Sequence, residues 1–298
     1  MERKQILATT SLLVLFVLLL TNCKPKSDSD EDTLLLLAVA ASRICANSAY
    51  TGTTVVASTA TLDTNTDCIT GMTSSMSADL PLWIRANFKC AVGSVSGSNY
   101  VFRSQNIPNN KSFYFGSTSP MYEALASGQK SAGNNQISSQ CLVYTIPSTP
   151  VAKTGTLTGT QSGYASVGIT VNGLAIFNNA AAAPDTLSTE AQTFDKYNGH
   201  PQSSGVYHHH SQPLNVSNNN SNLIGMLIDG YAVYGRDCKD SSNNITTPGD
   251  LDSNHGHTTT TQHFSIATYH YHFASDATAG ISTLIGSYFH GTPGTVSN

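Results

Sequence analysis

Val167-Gly168-Ile169-Thr170-Val171-Asn172-Gly173-Leu174-Ala175-Ile176-Phe177 returns 57 residues later as Ile224-Gly225-Met226-Leu227-Ile228-Asp229-Gly230-Tyr231-Ala232-Val233-Tyr234. Apolar, Gly, apolar, Asn or Asp, Gly, Ala, β-branched and aromatic positions recur in order. The same offset carries Gly199-His200 onto Gly256-His257. Tyr207-His208-His209-His210 then answers to Tyr269-His270-Tyr271-His272, after five inserted residues. Self-similarity at a fixed spacing points to an internal repeat, over about 165–215 and 222–275. An Asx-Gly step between two apolar, β-branched runs signals a hairpin. Each copy therefore supplies a hairpin, a loop ending in Gly-His, and a strand carrying Tyr-His-x-His. The expected fold is mainly β. It is an internally duplicated, pseudo-two-fold sandwich or barrel-like domain with few short helices.

Side chains at i and i+2 of a strand share a face. His208 and His210 then point one way, as do His270 and His272, while His209 and Tyr271 point the other. Two imidazoles at that spacing form a chelating pair suited to zinc, copper, iron or nickel. With His200 and His257 there are six repeated histidines. They can build one site on the pseudo-axis or two equivalent three-His sites of the kind seen at some catalytic zinc centres. Asp229, Asp252, Tyr207 and Tyr269 are the adjoining candidates for a further ligand or an orienting hydrogen bond. Asp229 also fits a plain turn-capping role, since its counterpart is Asn172. His209, His255, His263 and His290 have no histidine counterpart and read as polar residues outside any site.

The histidines stand out against the composition. All ten lie between His200 and His290, in a chain of 298 residues with only 11% charged residues and a net charge of −4. That balance recruits no nucleic acid. Mean hydropathy is −0.13, so Ser, Thr, Asn and Gly, not apolar residues, replace the missing charges. This palette suits strands and turns better than helices. Strands are expected over Leu82–Val95, Tyr100–Arg103, Phe113–Phe115 and Cys141–Tyr144, with one or two helical turns at Met121–Ser127. Residues 46–84 are a Ser/Thr-rich region of short strands or irregular chain, and 85–298 form the main domain. There is no nucleophile elbow, phosphate-cradling loop or H-E-x-x-H motif.

Arg3 and Lys4 precede an apolar run from Ile6 to Leu20, then Leu20-Thr21-Asn22-Cys23. This reads as a signal peptide over residues 1–22, too short for a membrane span. The residues before Cys23 resemble a bacterial lipobox, with Asn22 in place of the usual small residue. The resemblance implies lipidation of Cys23 and an exported protein anchored in the cell envelope, at the outer membrane. Residues 23–45 are then a tether ending in a short apolar segment, Leu34–Ala41, expected to pack on the domain. Export makes disulfides plausible. Five cysteines remain beyond Cys23, so at most two bridges form within the chain. Cys238, near the histidines, reads as oxidised or buried before it reads as a nucleophile.

At Tyr269–His272 the chain resembles the YHYH domain family. Asn106-Ile107-Pro108-Asn109, Tyr144-Thr145-Ile146-Pro147, Val171-Asn172-Gly173, Gly199-His200, Leu223–Gly235 and Gly256-His257 carry the resemblance over roughly residues 85–295. The first tetrad departs by reading Tyr-His-His-His, and cysteines that many members carry near Asn254 and Ser287 are absent. The resemblance implies an extracytoplasmic domain and no particular activity. Three functions follow as expectations. The first is a lipoprotein binding copper or zinc through His200, His208, His210, His257, His270 and His272, with affinity falling below about pH 6 as imidazole protonates. The second is a metal-dependent hydrolase or oxidoreductase with an open coordination position. The third is an adhesion or small-ligand-binding lipoprotein whose histidines are structural. Three ring nitrogens meeting within about 4–5 Å separate the first two from the third.

Overall fold

The computed structural model describes residues 54–161, 166–216, 219–276 and 281–298. The expected signal peptide, Cys23, the tether and Leu34–Ala41 lie outside the described residues. Strands dominate. A small sheet pairs β1 (Leu62–Asp63) with β2 (Cys68–Ile69). A five-stranded sheet runs in the order β19 (Thr295–Ser297), β6 (Leu142–Pro147), β5 (Asn99–Ser104), β4 (Val92–Ser96), β3 (Ser75–Met76). An eight-stranded sheet runs β15 (Gly256–Thr259), β16 (Thr268–His272), β12 (Ala232–Tyr234), β11 (Leu223–Leu227), β7 (Gly168–Thr170), β8 (Ala175–Ile176), β10 (Tyr207–His209), β9 (His200–Pro201). Two further hairpins pair β13 (Cys238–Lys239) with β14 (Ile245–Thr246), and β17 (Ala274–Asp276) with β18 (Ile281–Leu284).

The eight-stranded order has the same pattern from either edge. The central pair is antiparallel, with Gly225 opposite Thr170, Met226 opposite Ile169 and Leu227 opposite Gly168. That register is symmetric about the Ile169–Met226 pair. Outward from it, β8 and β12 each fold back antiparallel on β7 and β11. Next come the parallel neighbours β10 and β16, then the antiparallel edges β9 and β15. The centre works only because Gly168 and Gly225 carry no side chain. A Cβ at Gly225 would lie 2.1 Å from the Ile169 carbonyl oxygen, and one at Gly168 2.6 Å from that of Met226. The Asx-Gly steps do turn hairpins, with φ of +80° at Gly173 and +94° at Gly230. They sit inside longer connections, 171–174 and 228–231, and are not two-residue turns.

Neither sheet closes, so the barrel-like alternative is corrected to open sheets. The short edge β9 ends in Pro201, which has no N–H to offer another strand. Both large sheets feed one buried apolar cluster. Phe102, Tyr144 and Ile146 come from the five-stranded sheet, and Ile169, Met226, Val233 and Tyr271 from the eight-stranded one. Alternation in β6 shows why: Leu142, Tyr144 and Ile146 are buried while Val143, Thr145 and Pro147 are not fully so. A second cluster joins Val55 and Ile69 to Ile107, Tyr114, Leu174 and Tyr207. Cys68 and Cys90 are disulfide-bonded.

Three local expectations are corrected. Leu82–Arg85 is a helical turn, α1, because Pro81 sets its first residue and Ile84 points inward; the strand begins only at Val92. Phe113–Phe115 is a 3-10 turn, initiated by the Ser112 hydroxyl accepting from the Tyr114 N–H. Met121–Ser127 forms no helix, since Ser112 exchanges backbone hydrogen bonds with Met121 and Glu123 and holds that chain extended.

Candidate metal centres

The histidines form two groups at opposite edges of the eight-stranded sheet. In centre A, His200 lies opposite His208 across the β9–β10 pair, and His210 follows two residues on. Glu190 joins from α2 (Leu187–Glu190), a helical turn capped by the Thr186 hydroxyl and anchored by buried Leu187. In centre B, His257 lies opposite His270 across β15–β16, His272 follows, and Cys238 enters from β13. Each group offers four ligand atoms within 4.8 Å of one another. The six histidines therefore gather in two groups and not in one on the axis.

The loops ending in Gly-His are held alike. Asp195 accepts from the Tyr197 and Gly199 N–H groups and from the Tyr207 hydroxyl at 2.8 Å. Asp252, 57 residues on, accepts from the Asn254 and Gly256 N–H groups and from the Tyr269 hydroxyl at 3.1–3.2 Å. The glycines are required. A Cβ at Gly199 or Gly256 would come within 2.3 Å of the Tyr207 or Tyr269 ring. Tyr207, Tyr269 and Asp252 thus position the histidines and stand in neither ligand group. Asp229 is also outside both. Its carboxylate accepts from the Tyr271 hydroxyl at 2.5 Å and the Gly291 N–H at 2.9 Å. Burial pushes its pKa up to about 6.

Every Nδ1 is committed as a donor. His208 and His210 donate to the carbonyls of Val206 (3.0 Å) and Asn178 (2.6 Å). His270 and His272 donate to those of Thr268 (2.9 Å) and Gly235 (2.7 Å). The Thr193 hydroxyl gives its proton to the Glu190 carbonyl, so at 2.7 Å it accepts from His200. His257 donates to the Asp250 carboxylate at 2.8 Å. In the neutral rings all six Nε2 atoms are therefore bare lone pairs. Yet His200 and His210 each bring Nε2 to 3.1 Å from that of His208, and His257 brings its own to 3.1 Å from that of His270. Lone pairs at that distance repel unless a cation lies between them. Tetrahedral ligands about 2.0–2.1 Å from a metal stand about 3.3 Å apart.

The fourth donors fit as well. Glu190 places its oxygens 3.4 Å from His200 Nε2 and 3.6 Å from His210 Nε2. Cys238 Sγ lies 3.6 Å from His270 Nε2, near the roughly 3.5 Å edge that Zn–S and Zn–N bonds of about 2.3 and 2.0 Å generate. Glu190 Oε2 and His272 Nε2 are buried with no hydrogen-bond partner. Burial pushes imidazole pKa values down, to about 3 for His200 and His272, about 4 for His210 and His270, and well below the usual range for His208. These five rings are neutral at pH 7, as ligands must be. Burial, with Asp185 nearby, pushes Glu190 up to about 7, and burial raises Cys238. A cavity of about 380 Å³ reaches centre A, with Phe177, Glu190, His208 and His210 in its wall.

The remaining histidines serve elsewhere. His209 donates to the Asn198 carbonyl, His263 pairs with the Tyr234 hydroxyl, and His290 stacks on Tyr269 at 3.5 Å. His255 takes a left-handed backbone, φ +61°, as Asn198 does 57 residues earlier. Glu190, Asp250 and Thr193 escape sequence reasoning, as does the ligand position of Cys238. Their counterparts in the repeat are Thr247, Thr193, Asp250 and Ala181, so a search for matched residues passes over them.

Neither the curated proteins nor the solved structures contain a match to the chain. Among family models one matches, that of the YHYH protein, over residues 143–248. This span is narrower than the 85–295 resemblance. It runs from β6 through β14, takes in His200 and the Tyr207–His210 tetrad, and stops before Tyr269–His272. The chain therefore carries a YHYH domain, and centre A lies wholly within it.

Proposed function

We propose that this protein is an exported, lipid-anchored component of the bacterial cell envelope whose YHYH domain binds transition-metal ions, copper or zinc, at two centres. One observation carries the metal reading: twice over, imidazoles with Nδ1 tied to an acceptor turn bare Nε2 atoms on one another at 3.1 Å. Histidines that serve only packing have no reason to converge bare Nε2 atoms on one another; His209, outside both groups, keeps a buried Nε2 that faces no other imidazole nitrogen. The envelope reading rests on the Ile6–Leu20 run and the lipobox-like residues before Cys23, with lipid attachment at the outer membrane and no nucleic-acid partner. The Cys68–Cys90 bridge suits an oxidising compartment. The symmetric register about Ile169–Met226 supports descent of the two halves from one duplicated unit.

Metal analysis of tag-free protein tests the proposal. The expected result is two equivalents, of which His208→Ala/His210→Ala loses one and His270→Ala/His272→Ala the other. Protein that takes up neither copper nor zinc overturns it. The two ions should stand roughly 24–29 Å apart, five to six strand spacings of about 4.8 Å, a distance that pulsed EPR on the copper-loaded protein measures. Labelled palmitate that enters the wild type but not Cys23→Ala tests the anchor. The cavity at centre A favours a second reading, a metal-dependent hydrolase or oxidoreductase, for that centre alone.

A further inference from the structure

The two centres each hold three imidazoles but differ in how they are completed. In centre B the fourth donor is the thiol of Cys238, and all four side chains are buried. The constant offset of 57 puts Ala181 where Cys238 stands. A methyl group replaces a thiol, and Ala181 lies in the wall of the 380 Å³ cavity beside centre A, between Ala180 and Ala182. Glu190 supplies the fourth donor of centre A from a different direction. Its counterpart, Thr247, is exposed and belongs to neither ligand group. Glu190 is itself the one member of that group that is not buried, with its side chain 20% exposed, and it shares the cavity wall with His208 and His210.

We infer that the centres have separate roles: centre A accepts a small exogenous ligand from the cavity, an oxyanion or carbonyl oxygen, whereas centre B is closed by Cys238 and serves structure. This deepens the metal reading and rests on it. Four buried donors seal centre B, whereas the fourth donor of centre A is the partly exposed Glu190 in the cavity wall, which leaves the ion reachable by a further ligand, as at catalytic sites that expand to five-coordinate. The two centres are built on corresponding strand pairs, β9–β10 and β15–β16, so one substitution, Cys for Ala, accounts for much of the contrast. Among the described residues, the cavity walls carry no Lys or Arg. Such a pocket suits a neutral or singly charged oxygen ligand better than a polyanion.

Cobalt(II) reports both centres at once in the full-length, metal-free protein, with azide as the probe ligand. Two ions are expected. The near-ultraviolet thiolate-to-cobalt absorption should be lost in Cys238→Ser. Azide should shift the visible bands in wild type and in Cys238→Ser alike, without moving the thiolate band. Ala181→Cys should add thiolate absorption and abolish the azide response. Azide that leaves the visible bands unchanged, or moves the thiolate band equally, overturns the division of roles while the metal reading stands. Failure to take up cobalt, zinc or copper overturns both. Because wild type carries the azide test unaided, a poorly folding variant does not decide the outcome.

Discussion

At the scale of single residues, the chemistry is set by which nitrogen of each ring is spent. Carbonyls and side-chain acceptors take every Nδ1–H, which leaves Nε2 as the only atom that can turn inward. Asp250 is the most exposed of these anchors, with its side chain 70% accessible, yet it fixes His257 at 2.8 Å. Removing the partner of a ligating histidine typically costs 10–100-fold in metal affinity. Asp250→Ala should therefore weaken centre B by about that factor and leave centre A unchanged, as competition against a chelating indicator would measure. Equal affinity in the variant would mean that the strand pair alone orients His257. Asp250 also marks the limit of sequence reading. The six histidines declare themselves by spacing and repetition, whereas a donor that exists in only one copy carries no such signal. Glu190 and Cys238 are hidden for the same reason, and the asymmetry that hides them makes the centres unlike.

At the scale of elements, the decisive residues are the smallest. β7 and β11 approach so closely that neither Gly168 nor Gly225 can gain a side chain. Gly225→Ala would press its methyl into the Ile169 carbonyl, and separating two central strands disturbs every pair outward to both centres. The expected loss is about 3 kcal/mol in urea unfolding, the upper end for overpacking a filled core, with metal affinity falling at both centres. A variant as stable as wild type would show that the β7–β11 pair is not the hub of the sheet. These hairpins were legible because Gly, Asx and β-branched residues recur at fixed places. The turns at Leu82–Arg85 and Phe113–Phe115 were not, because aromatic and β-branched content argues for strand while Pro81 and Ser112 act on their immediate neighbours alone. Within these short segments, the local hydrogen bond wins.

At the scale of the whole molecule, the order of the eight strands separates the centres. Pairing each tetrad strand parallel to its own hairpin and capping it with the Gly-His strand leaves the histidines at the two far edges. The recurring segments were visible in the sequence, but the way their strands assemble was not. Two such segments can meet edge to edge in a barrel or back to back in an open sheet, and only the β7–β11 register selects the second. This arrangement buries the imidazoles and changes how the protein should respond to acid. Ordinary histidines would release metal near pH 6. Here His200 and His210 are held near 3 and 4 in the folded, metal-free protein, while in the unfolded chain they titrate near 6.5. Between those values the unfolded chain binds more protons, so stability rises with pH and is lost as pH falls through this window. Glu190, raised to about 7, pulls the other way between pH 7 and 4.5, but it is one carboxyl against several imidazoles. A bound metal would then be limited by the fold and not by protonation of its ligands in place. On acid titration of the cobalt-loaded protein, loss of the visible bands should coincide with the change in Trp83 fluorescence that marks unfolding, and both should fall below pH 6. Release near pH 6 with Trp83 fluorescence unchanged would mean that the imidazoles titrate as exposed groups, and that their burial does not protect the centres.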